Sequence, residues 1–372
     1  MRILQVSSAK TYGGGERHMA DLCRGLQERG HEVFVALRPT NEWEGQLDFI
    51  PHENFLHVSI RNSFGMFSAK RIGNYLKEHK IDIIHAHVAR DYLAAGVACR
   101  ISSETRLVLT RHVMFPLKPF HKFALNNVDA AIAVSPAVAT QLEKIFPAGK
   151  INVIYNGLTV GVTGDMAARN AEFRSFHGIP DDALVVGTIG ELKPLKGQRD
   201  FVLAANEIAK TNPKAYFVVA GKDNTADKRF RRELRRLVKV FGLADRFLWL
   251  DWLDDTSPFF AATDVFVSPS HSESFGLALL EAMSRGKAVV ATATDGAKEL
   301  LGNVGKIVPI ADPVALADAV SEMLADKDLR INVAEQLRAI AEDRFSLTRM
   351  IDATENLYRD VTSDTARSIA AR

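Results

Sequence analysis

Glu273 and Glu281 stand eight positions apart in the stretch SPSHSESFGLALLEAMSRG, which follows the strand-like run DVFVSPS and reads as a loop feeding a helix that ends at Gly286. The helix start leaves the N–H groups of Phe275, Gly276 and Leu277 without intrahelical partners. Unpaired N–H groups at the positive end of a helix dipole make an anion site. Glu273 lies in the loop just before it. Glu281 comes about two turns later and, at about 100° per residue, does not share a face with Glu273. The two carboxylates can meet one ligand only if that ligand is long enough to span the helix start.

Four other loops carry polar residues at the ends of apolar runs, where open α/β domains bind ligands. AKTYGGGERH has three consecutive glycines, Gly13, Gly14 and Gly15, before a helix, so its backbone can approach a phosphate or a sugar closely. The dinucleotide fingerprint fits only in part, since His18 stands where a third glycine would be and the second strand ends ALRP without an acidic residue. NAD is therefore not expected. In IIHAHVAR, His85 and His87 point to one side of a strand. They read either as a structural pair near a cleft or as two metal ligands, with no third ligand nearby in sequence. Arg111 and His112 end the next strand, before the aromatic and basic segment MFPLKPFHKF. In GELKPLKGQRD, Lys196 precedes a helix and can meet a diphosphate as a point charge.

The elements that must position these residues alternate. RILQVS, HEVFVAL, FLHVSI, IDIIHAH, RLVLTRH, DAAIAVS and INVIYN read as strands, with helices between them such as GERHMADLCRGLQERG, closed by Gly30. After an irregular stretch at 158–183 the pattern restarts with LVVGTIG, AYFVVAG, RFLWL, DVFVSP and AVVATA. The expected class is therefore α/β, with two Rossmann-like doubly wound domains. The chain of 372 residues is also too long for one ordinary core. We place an N-terminal domain at 1–160, a second at 161–345, and a final amphipathic helix and tail at 346–372, with 363–372 frayed.

Net charge is +2, but residues 1–160 carry 19 Lys and Arg against 14 Asp and Glu, and nine of the 11 histidines. That leaves room for an anionic partner or a membrane surface facing the first domain. The basic helix at 226–242 reads as a solvated face, and no nucleic-acid module accompanies it. Cys23 and Cys99 lie in helix-like patterns and read as buried thiols in a reducing compartment. MRILQVSSAK reads as a strand and not a signal peptide, and no apolar run reaches the length of a transmembrane helix, so a cytoplasmic location is expected.

A nucleotide sugar has the length that Glu273 and Glu281 demand. ESFGLALLE, framed by DVFVSPS and EAMSRGKAVVAT, together with GGGER, IDIIHAH, TRH, VIYNG and LKPLKG, resembles the retaining glycosyltransferases of family 4, and the likeness covers nearly the whole chain. It implies the GT-B architecture: two Rossmann-like domains facing a cleft, a last helix crossing back to the first, acceptor binding by the N-terminal domain and donor binding by the second. It implies that Glu281 accepts hydrogen bonds from the ribose hydroxyls and that Glu273 holds the donor sugar, with the loop of Ser274, Phe275, Gly276 and Leu277 on sugar and distal phosphate. Lys196 would stabilise the departing diphosphate, Gly14 and Gly15 would line the cleft, and His112 would stand beside the sugar's reactive face. His112, Lys196 and Glu273 are thus the expected catalytic group.

His85, His87 and Arg111 are expected on the acceptor side, and Lys222, Trp252 and Leu253 around the base. No metal or other cofactor is expected; the one D-x-D, at Asp326 and Asp328, reads as a helix end. The implied partners are a nucleotide sugar and a glycan or lipid-linked acceptor of bacterial surface polysaccharide or lipopolysaccharide synthesis, with peripheral membrane contact through RHVMFPLKPFHKF. One residue departs from the family pattern. Glu191 stands where an arginine usually accompanies the lysine, and Arg199 and Lys222 are candidate substitutes for that cation. Two other readings remain open: a GT-B-fold epimerase, and a nucleotide-sugar-binding protein with reduced turnover.

Overall fold

The computed structural model describes residues 1–60, 66–160 and 165–363; apart from Ser363, the expected frayed tail lies outside the described residues. The chain forms two compact units, Met1–Gly157 with Leu347–Arg372, and Leu158–Ser346.

The first unit is built on a parallel sheet. Its strands are β1 (Arg2–Ser7), β2 (Glu32–Leu37), β3 (Phe55–His57), β4 (Ile83–Ala86), β5 (Arg106–Arg111), β6 (Ala130–Ala133) and β7 (Ile151–Val153), in the order β3-β2-β1-β4-β5-β6-β7. The central strands are buried along nearly their whole length, as a sheet covered by helices on both faces requires. The order reverses between β1 and β4. That is the switch point where the loops after two neighbouring strands diverge and leave room for a ligand. The helix Gly14–Glu28 ends as its sequence foretells, with Gly30 in the left-handed region at φ 81°.

The last helix, Leu347–Thr362, belongs to this unit. Met350, Ile351, Leu357, Tyr358 and Val361 join Met19, Leu22, Cys23 and Leu26 of the first helix in one buried cluster with Ile3, Val35 and Ile83. An ionic clasp fastens it. Glu355 accepts from Arg29 at 2.7 Å and from Arg359 at 2.5 Å, and its other contact is the His31 ring at 3.0 Å. The Arg29 and His31 hydrogen bonds hold the Glu355 carboxyl down from 4.5 to about 2. A carboxyl depressed in the folded state adds stability above its unfolded value and loses it as the pH falls. Glu355→Gln is thus expected to lower the stability of the protein by about 2 kcal/mol at pH 7, allowing for the solvent around Arg29 and Arg359. The deficit should close between pH 4.5 and 2. Urea unfolding of parent and variant across that range checks this; a gap that does not change with pH refutes it.

The second unit holds β8 (Leu184–Ile189), β9 (Ala215–Ala220), β10 (Phe247–Leu250), β11 (Val265–Ser268), β12 (Ala288–Thr292) and β13 (Lys306–Val308), in the parallel order β10-β9-β8-β11-β12-β13. Its switch point falls between β8 and β11. The stretch expected to be irregular contains a helix, Met166–His177, capped by the Asp165 carboxylate, which accepts from Ala167 and Ala168 N–H. Asp326 is likewise a cap, for the helix Lys327–Arg344. Both cysteines are buried and unbridged, and burial pushes their thiols up. No described helix is long and apolar enough to cross a membrane.

Candidate functional site

In the second unit, the loops leaving β8 and β11 meet at the switch point. Lys196 ends a short turn, Pro194–Lys196, and Glu273 lies in the loop before the helix Leu277–Ser284. Lys196 Nζ stands 2.5 Å from Glu273 Oε2, with Ser270 Oγ 3.5 Å from the same oxygen. Two further contacts fasten the loops together: His271 N–H donates to the Leu195 carbonyl at 2.9 Å, and the His271 ring stands 2.6 Å from the Asp200 carboxylate. Gly276 is the N-cap, so the open N–H groups of the helix begin at Leu277, beside Glu273 and Ser274. The arrangement offers one cation, one carboxylate and a helix start at one point, which suits a ligand carrying both phosphate and hydroxyl groups.

Glu281 is 5% exposed. Thr256 Oγ1 donates to its Oε1 at 2.5 Å, and Arg285 approaches the same oxygen at 3.6 Å while donating to Ser257 Oγ at 2.6 Å. No motif marks Thr256, whereas Arg285 lies one helical turn from Glu281 within the framing run EAMSRGKAVVAT. Trp252 is 51% exposed and donates from its indole nitrogen to Asp254 at 3.0 Å; Leu253 is half-buried and Lys222 exposed.

Glu191, at the position of the family arginine, is itself paired. Its partners are Lys193 Nζ at 2.6 Å and Asn224 Nδ2 at 3.2 Å, while Arg199 faces Glu233. Burial alone would raise the Glu191 carboxyl, but these two hydrogen bonds and the Lys193 and Lys196 charges outweigh it and hold the carboxyl below its ordinary value. The anion at the arginine position is thus neutralised by a lysine two residues on.

In the first unit the glycine loop lies beside the histidines. A Cβ on Gly15 would stand 3.5 Å from His112 Cδ2. His85, His87 and Arg111, expected on the acceptor side, are all buried. The reason is their place at the ends of β4 and β5, central strands covered on both faces. The His85 ring stands 2.6 Å from Tyr358 Oη and 2.6 Å from Thr110 Oγ1; Arg111 donates to the Phe115 carbonyl. His87 Nε2 lies 2.7 Å from Gln5 Oε1 and its Nδ1 3.3 Å from His112 Nε2. The third member that sequence spacing did not supply is His18, on the first helix: one nitrogen from each of His18, His87 and His112 lies within 4.8 Å of the others. Burial holds all three imidazoles neutral, with His18 lowered to about 4 and the other two well below their ordinary value, where neighbouring histidines add to the effect.

Comparison with known proteins gives the class first. The chain is similar to Anabaena Alr3699/HepE, solved in complex with UDP-glucose, with a TM-score of 0.82 at 22% identity over all of both chains. Together with the two parallel-sheet units, this defines the GT-B fold. Residues 12–161 match the model of Glycosyltransferase Family 4, and residues 183–326 that of Glycosyl transferases group 1. The chain belongs to glycosyltransferase family 4. Among its relatives, it is 28% identical to the lipopolysaccharide core biosynthesis glycosyltransferase LpsE of Rhizobium meliloti, over 92% of this chain and 94% of that one. It is 24% identical to the N-acetyl-alpha-D-glucosaminyl L-malate synthase of Bacillus anthracis, over 95% of each.

Proposed function

We propose that the protein transfers a sugar from a nucleotide-diphosphate sugar to a glycan or glycolipid acceptor of bacterial surface polysaccharide or lipopolysaccharide synthesis. Transfer retains the donor's anomeric configuration and needs no metal. The observation that carries the reading is the Lys196–Glu273 contact at the helix start, with Glu281 two turns further on. On this reading Lys196 binds the departing diphosphate, Glu273 and the N–H groups from Ser274 to Leu277 hold the sugar, Glu281 takes the ribose hydroxyls, and Lys222, Trp252 and Leu253 flank the base. The first unit serves the acceptor, with Gly14, Gly15 and His112 at the sugar. His85, His87 and Arg111 support that surface from within. The UDP-glucose complex of the HepE relative and the lipopolysaccharide role in the name of LpsE support donor and acceptor class.

A thermal-shift screen of UDP, GDP and ADP sugars identifies the donor, because binding stabilises by mass action. NMR of the product then tests the chemistry, and an inverted anomer rejects it. Glu281→Ala is expected to weaken donor binding by about 1–3 kcal/mol, the scale of hydrogen bonds to a charged group. Unchanged affinity would count against the ribose assignment.

Peripheral membrane contact is also part of the reading. Phe115 and Phe123 are 68% and 79% exposed, beside Lys118 and Lys122. Apolar rings flanked by cations suit an anionic bilayer surface. The double variant Lys118→Glu, Lys122→Glu should sediment less with anionic liposomes than the parent; equal sedimentation removes the proposal.

A further inference from the structure

The histidines of the first unit are more numerous and more closely gathered than one sugar contact requires. We propose that His18, His87 and His112 form a binding site for one divalent transition ion of the zinc class.

Four observations converge on this. The three side chains come from separate elements, the helix Gly14–Glu28 and the loops after β4 and β5, and one nitrogen from each falls within 4.8 Å of the others. Zinc–nitrogen bonds of 2.0–2.1 Å in a tetrahedron set the ligand nitrogens about 3.4 Å apart. His87 Nδ1 and His112 Nε2 already stand at 3.3 Å, and the widest separation exceeds the ideal edge by at most about 1.4 Å, within reach of a ring rotation.

The hydrogen bonds behind His87 also fix its tautomer. The Gln5 amide nitrogen donates to Tyr358 Oη at 3.2 Å, so Gln5 Oε1 accepts from His87 Nε2–H at 2.7 Å. His87 Nδ1 is left with its lone pair turned to the cluster. A carbonyl oxygen fixing the far nitrogen of a ligating imidazole is the usual support of a metal-bound histidine. Finally, His18 is 4% exposed and no well-formed hydrogen bond reaches its Nδ1, although the Asn156 side chain interacts with the ring. A buried polar atom without a well-formed hydrogen bond calls for a partner that an ion or its bound water would supply.

Three neutral imidazoles leave a tetrahedral ion its fourth position open. The ion would hold the His112 ring against His18 and His87 and away from any ligand passing Gly15. Under the proposed function, which this one consequence presupposes, the ion therefore inhibits transfer, and a chelator relieves it.

The test uses the full chain. Metal-free protein is titrated with Co²⁺, followed by its visible d–d absorption, and then with competing Zn²⁺; metal content after dialysis is measured by mass spectrometry. One equivalent is expected, with the intense spectrum of four-coordinate cobalt. His18→Asn should weaken binding by at least about 100-fold, more than loss of a supporting residue costs. His57→Ala, an exposed histidine outside the cluster, should leave it unchanged. Circular dichroism shows whether His18→Asn is folded. If it is not, Gln5→Met, which frees the His87 ring, should weaken binding about 10–100-fold. Absence of one-equivalent binding, octahedral cobalt only, or parental affinity in folded His18→Asn overturns the site. Stoichiometric binding in a protein with no transferase activity would leave the site standing and overturn the proposed function instead.

Discussion

Lys196→Met is expected to lower the transfer kcat by about 10²–10³-fold, the cost of removing one preorganised group aimed at developing charge. Lys196 Nζ rests 2.5 Å from Glu273 Oε2, and the two side chains are 26% and 19% exposed. A diphosphate entering here gives the lysine a second anion, and the charge on that anion grows as the glycosidic bond breaks. The lysine is therefore worth more in the transition state than in the bound ground state, and its loss falls on kcat more than on KM. Lys196→Arg should recover only part of the rate, because a guanidinium fork does not replace a compact ammonium at the same point. Steady-state kinetics with the donor identified by thermal shift decides the matter. A Lys196→Met enzyme within threefold of the parent kcat would remove Lys196 from the mechanism.

Gly197→Ala is expected to destabilise the second unit by about 3 kcal/mol or more and to abolish transfer with it. Gly197 closes the turn that carries Lys196 and begins the helix Gln198–Thr211, at φ +68°. A Cβ there would lie 1.8 Å from the Pro269 carbonyl oxygen and 2.6 Å from its carbon. Both obstacles are backbone, so no side-chain rotation relieves them. The loop bearing Lys196 and the loop bearing Glu273 would be forced apart, and the His271–Leu195 hydrogen bond would go with them. Asparagine tolerates the left-handed region better than alanine does, but it brings the same Cβ. Gly197→Asn should therefore fail to rescue, which separates collision from backbone strain. Urea unfolding checks both variants, and a Gly197→Ala loss below 1 kcal/mol would contradict the close approach.

What sequence could disclose follows from range. The strands of both sheets stand out as apolar runs ending in polar or glycine-rich loops, and Glu273, Glu281 and Lys196 stand out because they sit at those ends. β13 is three residues long and gives no periodic signal. The helix Met166–His177 buries only Phe173 and Arg174, so it has no apolar stripe to find. Thr256, which holds Glu281, and Lys193, which neutralises Glu191, act through contacts that spacing does not encode. The histidines show the limit most plainly. The alternation along β4 pairs His85 with His87, but tertiary structure turns His85 to Tyr358, 273 residues away, and gives His87 to His18 and His112.

The return of the helix Leu347–Thr362 to the first unit bears on how the protein is made. Met1–Gly157 leaves the ribosome with one side of its core unfinished, since Met350, Ile351 and Tyr358 follow only after the whole of Leu158–Ser346. Leu158–Ser346 is contiguous and holds its own sheet, so it can fold while the first unit still waits. The first unit thus completes its core only after the second has been synthesised, unlike the usual N-terminal-first order. The Gln5, His85 and Tyr358 hydrogen bonds behind the histidines close only when the helix Leu347–Thr362 arrives, so a chain cut short before Leu347 would lack them.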